Sequence, residues 1–249
     1  MSRLVRYALN PNTAPTTPDG HEDVRYGDLD RDDIPSNARI LPPCWPSKIV
    51  CIGRNYVEHA KELGNEVPSE PLLFLKPPSS LIASGDAIVY PKQSQNVHFE
   101  GELGVVIGKP ARHVPRERAF EYVRGFTCLN DVTARDIQRK DVQFTRGKGF
   151  DTFCAVGPWM VTPDAVDLTS ARVQTRLDGT VKQDGPFTDM IFGVDAIIAY
   201  ISAHMTLWPG DLIATGTPSG VGPMQAGSVV EVEITGIGTL HNPVVAEVA

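Results

Sequence analysis

Val97-His98-Phe99-Glu100-Gly101-Glu102-Leu103-Gly104-Val105-Val106-Ile107 is the stretch on which the reading of this chain turns. Its β-branched and aromatic residues mark a strand. Successive strand side chains point to opposite faces, so Glu100 and Glu102 share one face. The apolar run that follows at once sets the pair beside a core, not on a solvated loop. Two carboxylates brought together repel each other and lose hydration, and a divalent cation relieves both costs. Hard oxygen ligands favour Mg²⁺, Mn²⁺ or Ca²⁺ over zinc. An edge strand with one solvated acidic face carries the same Glu-x-Glu pattern. Asp131 shifts the balance, because it ends the apolar run 125–130 just before a helix, and strand ends of this kind commonly carry ligands. Spacing alone does not bring Asp131 to the two glutamates.

Working outward, further strands are expected at 48–53, 72–76, 87–90, 98–108, 126–130, 158–161, 173–177, 212–215 and 228–235, all enriched in Val, Ile and aromatics. Asp178-Gly179 between two short extended runs signals a type I′ hairpin. Three helices stand out. Asn55 is placed to N-cap one over 55–63, which Gly64 ends. Thr133 is placed to cap a second through residue 140. The third covers 193–207, where Val194, Ile197, Ile198, Ile201 and Met205 form one apolar stripe and Pro209-Gly210 follows. Strands outnumber helices and do not alternate with them, which predicts a mainly β, α+β fold and argues against Rossmann and barrel arrangements. Residues 1–45, rich in Pro, Thr and Asn, read as a small N-terminal subdomain or arm, with the catalytic domain over 46–249.

Composition narrows the function classes. The chain has 249 residues and a formal net charge of −7, with 41% hydrophobic and 21% charged residues. A chain of this length buries roughly 70–75% of its unfolded surface, so it can fold without a disulfide or metal. No block of Lys and Arg offers a nucleic-acid footprint. Cys44, Cys51, Cys128 and Cys154 form no C-x-x-C pair, which fits buried free thiols in a reducing compartment. The N-terminus lacks an apolar signal core, and no run reaches the roughly 20 apolar residues of a membrane span. No membrane partner and a cytoplasmic location are expected.

Six motifs in order carry a family resemblance. Gly53-Arg54-Asn55-Tyr56-x-x-His59-x-x-Glu62-Leu63 comes first, then Leu73-Phe74-Leu75-Lys76-Pro77 and His98-x-Glu100-x-Glu102. Asn130-Asp131-Val132-Thr133-Ala134-Arg135-Asp136-x-Gln138 follows, then Arg146-Gly147-Lys148-Gly149-Phe150-Asp151 and Gly216-Thr217-Pro218-Ser219-Gly220-Val221-Gly222. Together, from about residue 48 to the C-terminus, they resemble the fumarylacetoacetate hydrolase family. The branch is the one containing acylpyruvases, oxaloacetate decarboxylases and 2-hydroxyhepta-2,4-diene-1,7-dioate isomerases. The resemblance implies a mixed β-sandwich roll, a homodimer, and Mg²⁺ or Mn²⁺ on Glu100, Glu102 and Asp131. It implies a catalytic His59-Glu62 dyad on a lid helix together with Lys148. It assigns substrate contacts to Arg54, Gln138 and Thr217. The first 45 residues resemble the short extension of the ring-cleavage isomerases, which makes fumarylacetoacetate itself a poor candidate substrate.

These assignments make chemical sense. His59 and Glu62 lie three apart on a helix, so the carboxylate can orient the imidazole and raise its basicity. Glycines on both sides of Lys148 would let the backbone come close to a ligand. The 216–222 run lacks the G-K-[ST] element of a phosphate loop, and a Thr217 hydroxyl binding a substrate carboxylate is the sharper reading. His98 is either a support for the metal strand or a structural hydrogen-bonding residue. Three carboxylates leave positions on an octahedral ion for a 2-oxo acid, whose enolate the ion would stabilise. That intermediate serves C–C hydrolysis of a 2,4-dioxo acid, the first expectation, and equally isomerisation in aromatic catabolism or oxaloacetate decarboxylation. A non-catalytic binder of metal and dicarboxylates is the competing class, and the intact His59, Glu62 and Lys148 oppose it.

Overall fold

A computed structural model describes residues 2–9, 24–62, 64 and 66–248. The fold is mainly β with few helices, as the strand-rich pattern requires. The largest sheet has ten strands. Its central path runs from Cys154–Val161 through Val123–Asp131, Gly101–Ile107 and Leu212–Ala214 to Ile49–Gly53 and the edge strand Leu72–Lys76. The described strands of the N-terminal region join its other edge, where Arg3–Ala8 pairs antiparallel with Cys154–Val161. A five-stranded sheet, with Thr180–Pro186, Arg172–Leu177, Val229–Ile234, Gly238–Ala246 and Ile88–Tyr90, packs against the first. Side chains from both sheets, among them Leu103, Val105, Phe126, Val173, Val230 and Val232, form one buried core between them. The Asp178-Gly179 hairpin has φ values of 51° and 75°, which a type I′ turn demands.

Four helices matter to the site: α1 (Val57–Glu62), α2 (Arg135–Asp141), α3 (Thr145–Lys148) and α4 (Val194–His204). The stripe on α4 is buried through Ile201, but the helix stops at His204 and leaves Met205 extended. Both expected helix caps are corrected. Asn55 precedes α1, but its amide donates to the carbonyls of Phe192 and Thr215 at 3.0 and 2.7 Å, tying it to two distant loops. Thr133 lies in a two-residue strand, and its hydroxyl donates to the Asp131 carbonyl at 2.9 Å while Ala134 opens α2. In both cases a buried backbone carbonyl needed a donor more than the helix end did.

The expected single strand over 98–108 is broken at Glu100 into Val97–Phe99 and Gly101–Ile107. Glu100 turns from the small three-stranded sheet into the large one. The Asn130-Asp131 pair latches this corner: the Asn130 side-chain oxygen accepts from Glu100 N at 3.0 Å, and Asp131 N donates to Glu100 O at 2.9 Å. Gly101 is required there, because a Cβ would lie 2.0 Å from the Thr175 hydroxyl oxygen.

Candidate active site

The corner at Glu100 brings the three acids together. One oxygen from each of Glu100, Glu102 and Asp131 lies within 4.8 Å of the others, and all three residues are buried. Strand pairing does this: Leu129 lies opposite Glu102 and Asn130 opposite Gly101, so Asp131 at the end of its strand meets the start of the glutamate strand. The set is all carboxylate oxygen, buried and clustered, which is compatible with a hard divalent cation. Glu102 supports that fit. Among the described residues its hydrogen bond is the one from Gly216 N at 2.8 Å. Burial, with Asp131 and then Glu100 close by, pushes its carboxyl well above the usual range.

Glu100 and Asp131 are held differently. Lys148 Nζ bridges them at 2.6 Å to each, and Lys76 Nζ reaches the other Asp131 oxygen at 2.6 Å. Arg135 pairs with Glu100 from α2. Burial opposes the charge on Glu100, but Arg135 and Lys148 outweigh it and hold that carboxyl far below the usual range. Burial likewise opposes charge on Lys148, and Asp131 and Glu100 reverse it, raising its pKa. Lys76 and Arg135, only 1% and 2% exposed, were not assigned from the sequence. A lysine or arginine that ends up fully buried at a cluster of acids has a role there, but the sequence does not say which basic residue will be buried.

The dyad also assembles. His59, on the inner side of α1, places Nδ1 3.3 Å from Glu62 Oε2. Glu62 in turn accepts from Gly220 N at 3.0 Å, which ties α1 to the 216–222 loop. Burial keeps the His59 pKa below the usual histidine value, partly offset by Glu100. His59, Arg54, Gln138, Thr217, Lys148 and the two glutamates all line one cavity of about 360 Å³, walled by Ile52, Phe74, Val142 and Phe144. Gln138 Oε1 accepts from Arg135 at 2.8 Å, leaving its amide nitrogen for a ligand. The Thr217 hydroxyl donates to Gly101 O at 2.8 Å and accepts from Gln183 at 2.7 Å, so a substrate carboxylate would have to win it from a backbone carbonyl. Gly147 and Gly149 serve packing: a Cβ at either would press on the Gln138 backbone (2.9 Å) or the Thr145 carbonyl (2.4 Å). His98 bonds Asn96 at 2.9 Å, and burial lowers its pKa to about 4. The four cysteines are free and buried, with burial pushing Cys44 and Cys128 up to about 12. No helix among the described residues is long and apolar enough to cross a membrane.

Comparison with known proteins agrees with this geometry. Residues 48–245 match the model of the fumarylacetoacetate (FAA) hydrolase C-terminal family. The mitochondrial oxaloacetate decarboxylase of Dictyostelium discoideum is 48% identical over 197 residues, covering 77% of this chain and 90% of the relative. The crystal structure of 2-hydroxyhepta-2,4-diene-1,7-dioate isomerase from Mycobacterium marinum superposes with a TM-score of 0.85 at 39% identity, covering all of both chains. Fumarylpyruvate hydrolase from Pseudomonas aeruginosa, solved with Mn²⁺ and pyruvate, gives a TM-score of 0.76 at 33% identity, covering 81% of this chain and 91% of that one. With the matched segment spanning the dyad, the acid cluster and the buried lysines, the chain belongs to the fumarylacetoacetate hydrolase family of enzymes.

Proposed function

We propose that this chain is a divalent-metal-dependent hydrolase that cleaves a C–C bond in 2,4-dioxo acids of the acylpyruvate type. The observation that carries the reading is the charge balance of the cavity floor. Glu100, Glu102 and Asp131 bring three formal negative charges, and Lys76, Lys148 and Arg135 bring three positive ones. A divalent ion there leaves two positive charges in excess. A 2-oxo acid presenting a carboxylate and an enolate oxygen side by side supplies the matching two negative charges. Mg²⁺ or Mn²⁺ on Glu100, Glu102 and Asp131 would contribute Lewis-acid polarisation of the oxo group.

The chain's own groups supply the rest. Lys148 and Arg135 neutralise the carboxylate and the oxygen that gains charge, in a buried site where such contacts are strong. Gln138 orients the same end through its free amide nitrogen. His59 is the base. With its Nδ1 proton donated to Glu62, Nε2 is left to take a proton from water. That water adds to the distal carbonyl, the bond to the central carbon breaks, and the electron pair passes to the pyruvyl fragment. Phe74 and Phe144, edge to face at 5.4 Å, narrow the approach and exclude bulk water.

The test follows the enol absorbance of acetylpyruvate with protein and Mg²⁺, repeated with EDTA. EDTA-sensitive decay to pyruvate and acetate supports the proposal, and no decay with metal restored removes it. A second reading, oxaloacetate decarboxylation, is favoured by the 48% identical relative of that name. It uses the same floor but needs no activated water, so His59→Ala would spare it while abolishing acylpyruvate hydrolysis. The isomerase reading draws support from the 39% identical structural neighbour and needs only proton transfer between carbons. The active form is proposed to be a homodimer. Support comes from the edge strand Leu72–Lys76, which leaves Leu72 and Leu75 exposed, and light scattering of the purified protein tests it.

A further inference from the structure

One buried amide that does not line the cavity is left unused by the chemistry above. Gln183 lies on Thr180–Pro186, the edge strand of the five-stranded sheet. Of the seven residues in that strand only Gln183 and Gly185 are buried, and Gln183 is 1% exposed. Burying an amide is costly unless its hydrogen bonds are made. Here they are made. Gln183 Oε1 accepts from Gly101 N at 3.0 Å, and Nε2 donates to the Thr217 hydroxyl oxygen at 2.7 Å and to Pro218 O at 2.8 Å. Thr217 closes the ring by donating to Gly101 O at 2.8 Å. Gly101 sits between the two glutamates, so one side chain clasps the acid-bearing strand to the 216–222 loop. The local backbone is built for this. Thr175 pairs with Gln183 but Arg176 pairs with Val181, so Lys182 is an extra residue, a bulge of the kind that re-aims neighbouring side chains.

The clasped loop reaches both halves of the site. Gly216 N donates to Glu102 at 2.8 Å, and Gly220 N donates to Glu62 at 3.0 Å. The loop lies directly on the Gln183 strand: a Cβ at Gly220 would fall 2.1 Å from Lys182 O, and one at Gly185 would fall 2.6 Å from Pro218 Cβ. The acid-bearing strand has anchors of its own. Gly101 pairs with Asn130, and the Asn130 side chain latches Glu100. By contrast, α1 has six residues and is too short to be stable by itself. The clasp therefore acts on the loop, and through Glu62 on the place of His59.

We infer that Gln183 is a positioning residue: it holds the 216–220 loop, and through it the His59-Glu62 dyad, at a fixed separation from the acid-bearing strand. The inference deepens the preceding reading, from which it takes His59 as the base. A base displaced by about 1 Å from the reacting centre costs roughly 10²-fold in rate.

The test compares two variants. Gln183→Met keeps the bulk and removes all three bonds of the amide. Gln183→Glu keeps an acceptor for Gly101 N but cannot supply both donors to the loop, and it reads the same release should Gln183→Met not fold, which a melting curve checks. Diethyl pyrocarbonate labelling of the Mg²⁺-loaded protein, read by peptide mass spectrometry, reports how well α1 covers His59, whose side chain is 5% exposed. Both variants should label His59 several-fold faster, while the half-buried His98 keeps its rate. On acetylpyruvate, Gln183→Met should lower kcat about 10²-fold. In a His59→Ala background it should cost less than about twofold, because the two residues act as one unit. Unchanged His59 labelling overturns the inference. So does equal acceleration at His98, which is general loosening, or the same fold-loss of activity in both backgrounds. Failure of the unaltered protein to hydrolyse acetylpyruvate counts against the hydrolase reading alone, and faster labelling of His59 in the variants then still upholds the clasp.

Discussion

Arg135 and Arg139 stand one helical turn apart on α2. One is 2% exposed and paired with Glu100, and the other is exposed with no hydrogen bond or ion pair among the described residues. The same contrast separates the whole floor of the cavity from its mouth. On the floor, Glu100 and Asp131 and three bases hold one another in place, so each of those charges is both ligand-directed and structural. At the mouth, Arg139 is exposed, and a left-handed backbone at the half-buried Arg54 sets the geometry. Removing a floor charge leaves a buried partner uncompensated, whereas removing a mouth charge leaves nothing behind.

The largest effect should therefore come from Asp131→Ala, which strands the buried Lys76 and leaves Lys148 with Glu100 alone. Thermal or denaturant unfolding should show a loss of about 3–5 kcal/mol, and a loss below ~1 kcal/mol would mean that the floor charges are already solvated. Next, His59→Ala should lower kcat on acetylpyruvate by roughly 10²–10⁴-fold, with Mn²⁺ affinity retained. Full turnover by that variant would strike the dyad from the mechanism. Third, free Mn²⁺ at about a hundred times its Kd should raise the unfolding free energy by ~2.7 kcal/mol. Glu102→Gln should erase most of that gain, and an unchanged gain would place the ion elsewhere.

The acid limb of kcat/KM gives a smaller, directional test. Burial holds His59 below its ordinary 6.5, so the neutral base persists as pH falls from 7 through 6.5, and the limb lies lower. Glu62 raises the His59 pKa, so Glu62→Gln should move the limb further toward acid. A shift toward neutral would break the assignment. The stability sign follows: an unfolded histidine takes its proton near 6.5 while the folded one stays neutral, so this group weakens the fold as pH drops below 6.5 and contributes nothing above it. The smallest effect belongs to the mouth. Val142 lies between α2 and α3 with φ 64° and ψ −46°, inside a three-residue turn closed by Gln143 N to Asp141 O at 2.6 Å. That is the rare, strained hand of γ-turn, with a β-branched residue at its centre. Val142 is 84% exposed, so Val142→Gly gives up little packing and should stabilise the protein by about 1 kcal/mol. A destabilised variant would show that the turn is not strained.

The Glu100–Glu102 pair and the His59–Glu62 contact were legible because each rests on a local rule, whereas Asp131 joined them only through the family resemblance. Glu-x-Glu in an apolar strand fixes side-chain type and face, and His59 and Glu62 three apart fix a helical pair. The apolar stripe of α4 was legible for the same reason. The cap at Asn55 was misread because local capping patterns cannot register a carbonyl 160 residues away, as Thr215 is from Asn55, while Thr133 turns its hydroxyl back to the Asp131 carbonyl two residues before it.

What the sequence by itself determined is thus a strand-rich fold, a family, an acidic pair suited to a hard cation and a candidate base. Only the tertiary structure decided which basic residues meet those acids. Lys76 reaches Asp131 across 55 residues and Arg135 reaches Glu100 across 35, through the register of the large sheet and the corner at Glu100. It likewise decided that Arg139 is exposed at the mouth with no ion pair among the described residues. The reason is physical. Periodicity and spacing act within a few residues, whereas burial and ion pairing depend on which strands lie side by side, and that is settled only when the whole sheet closes on its core.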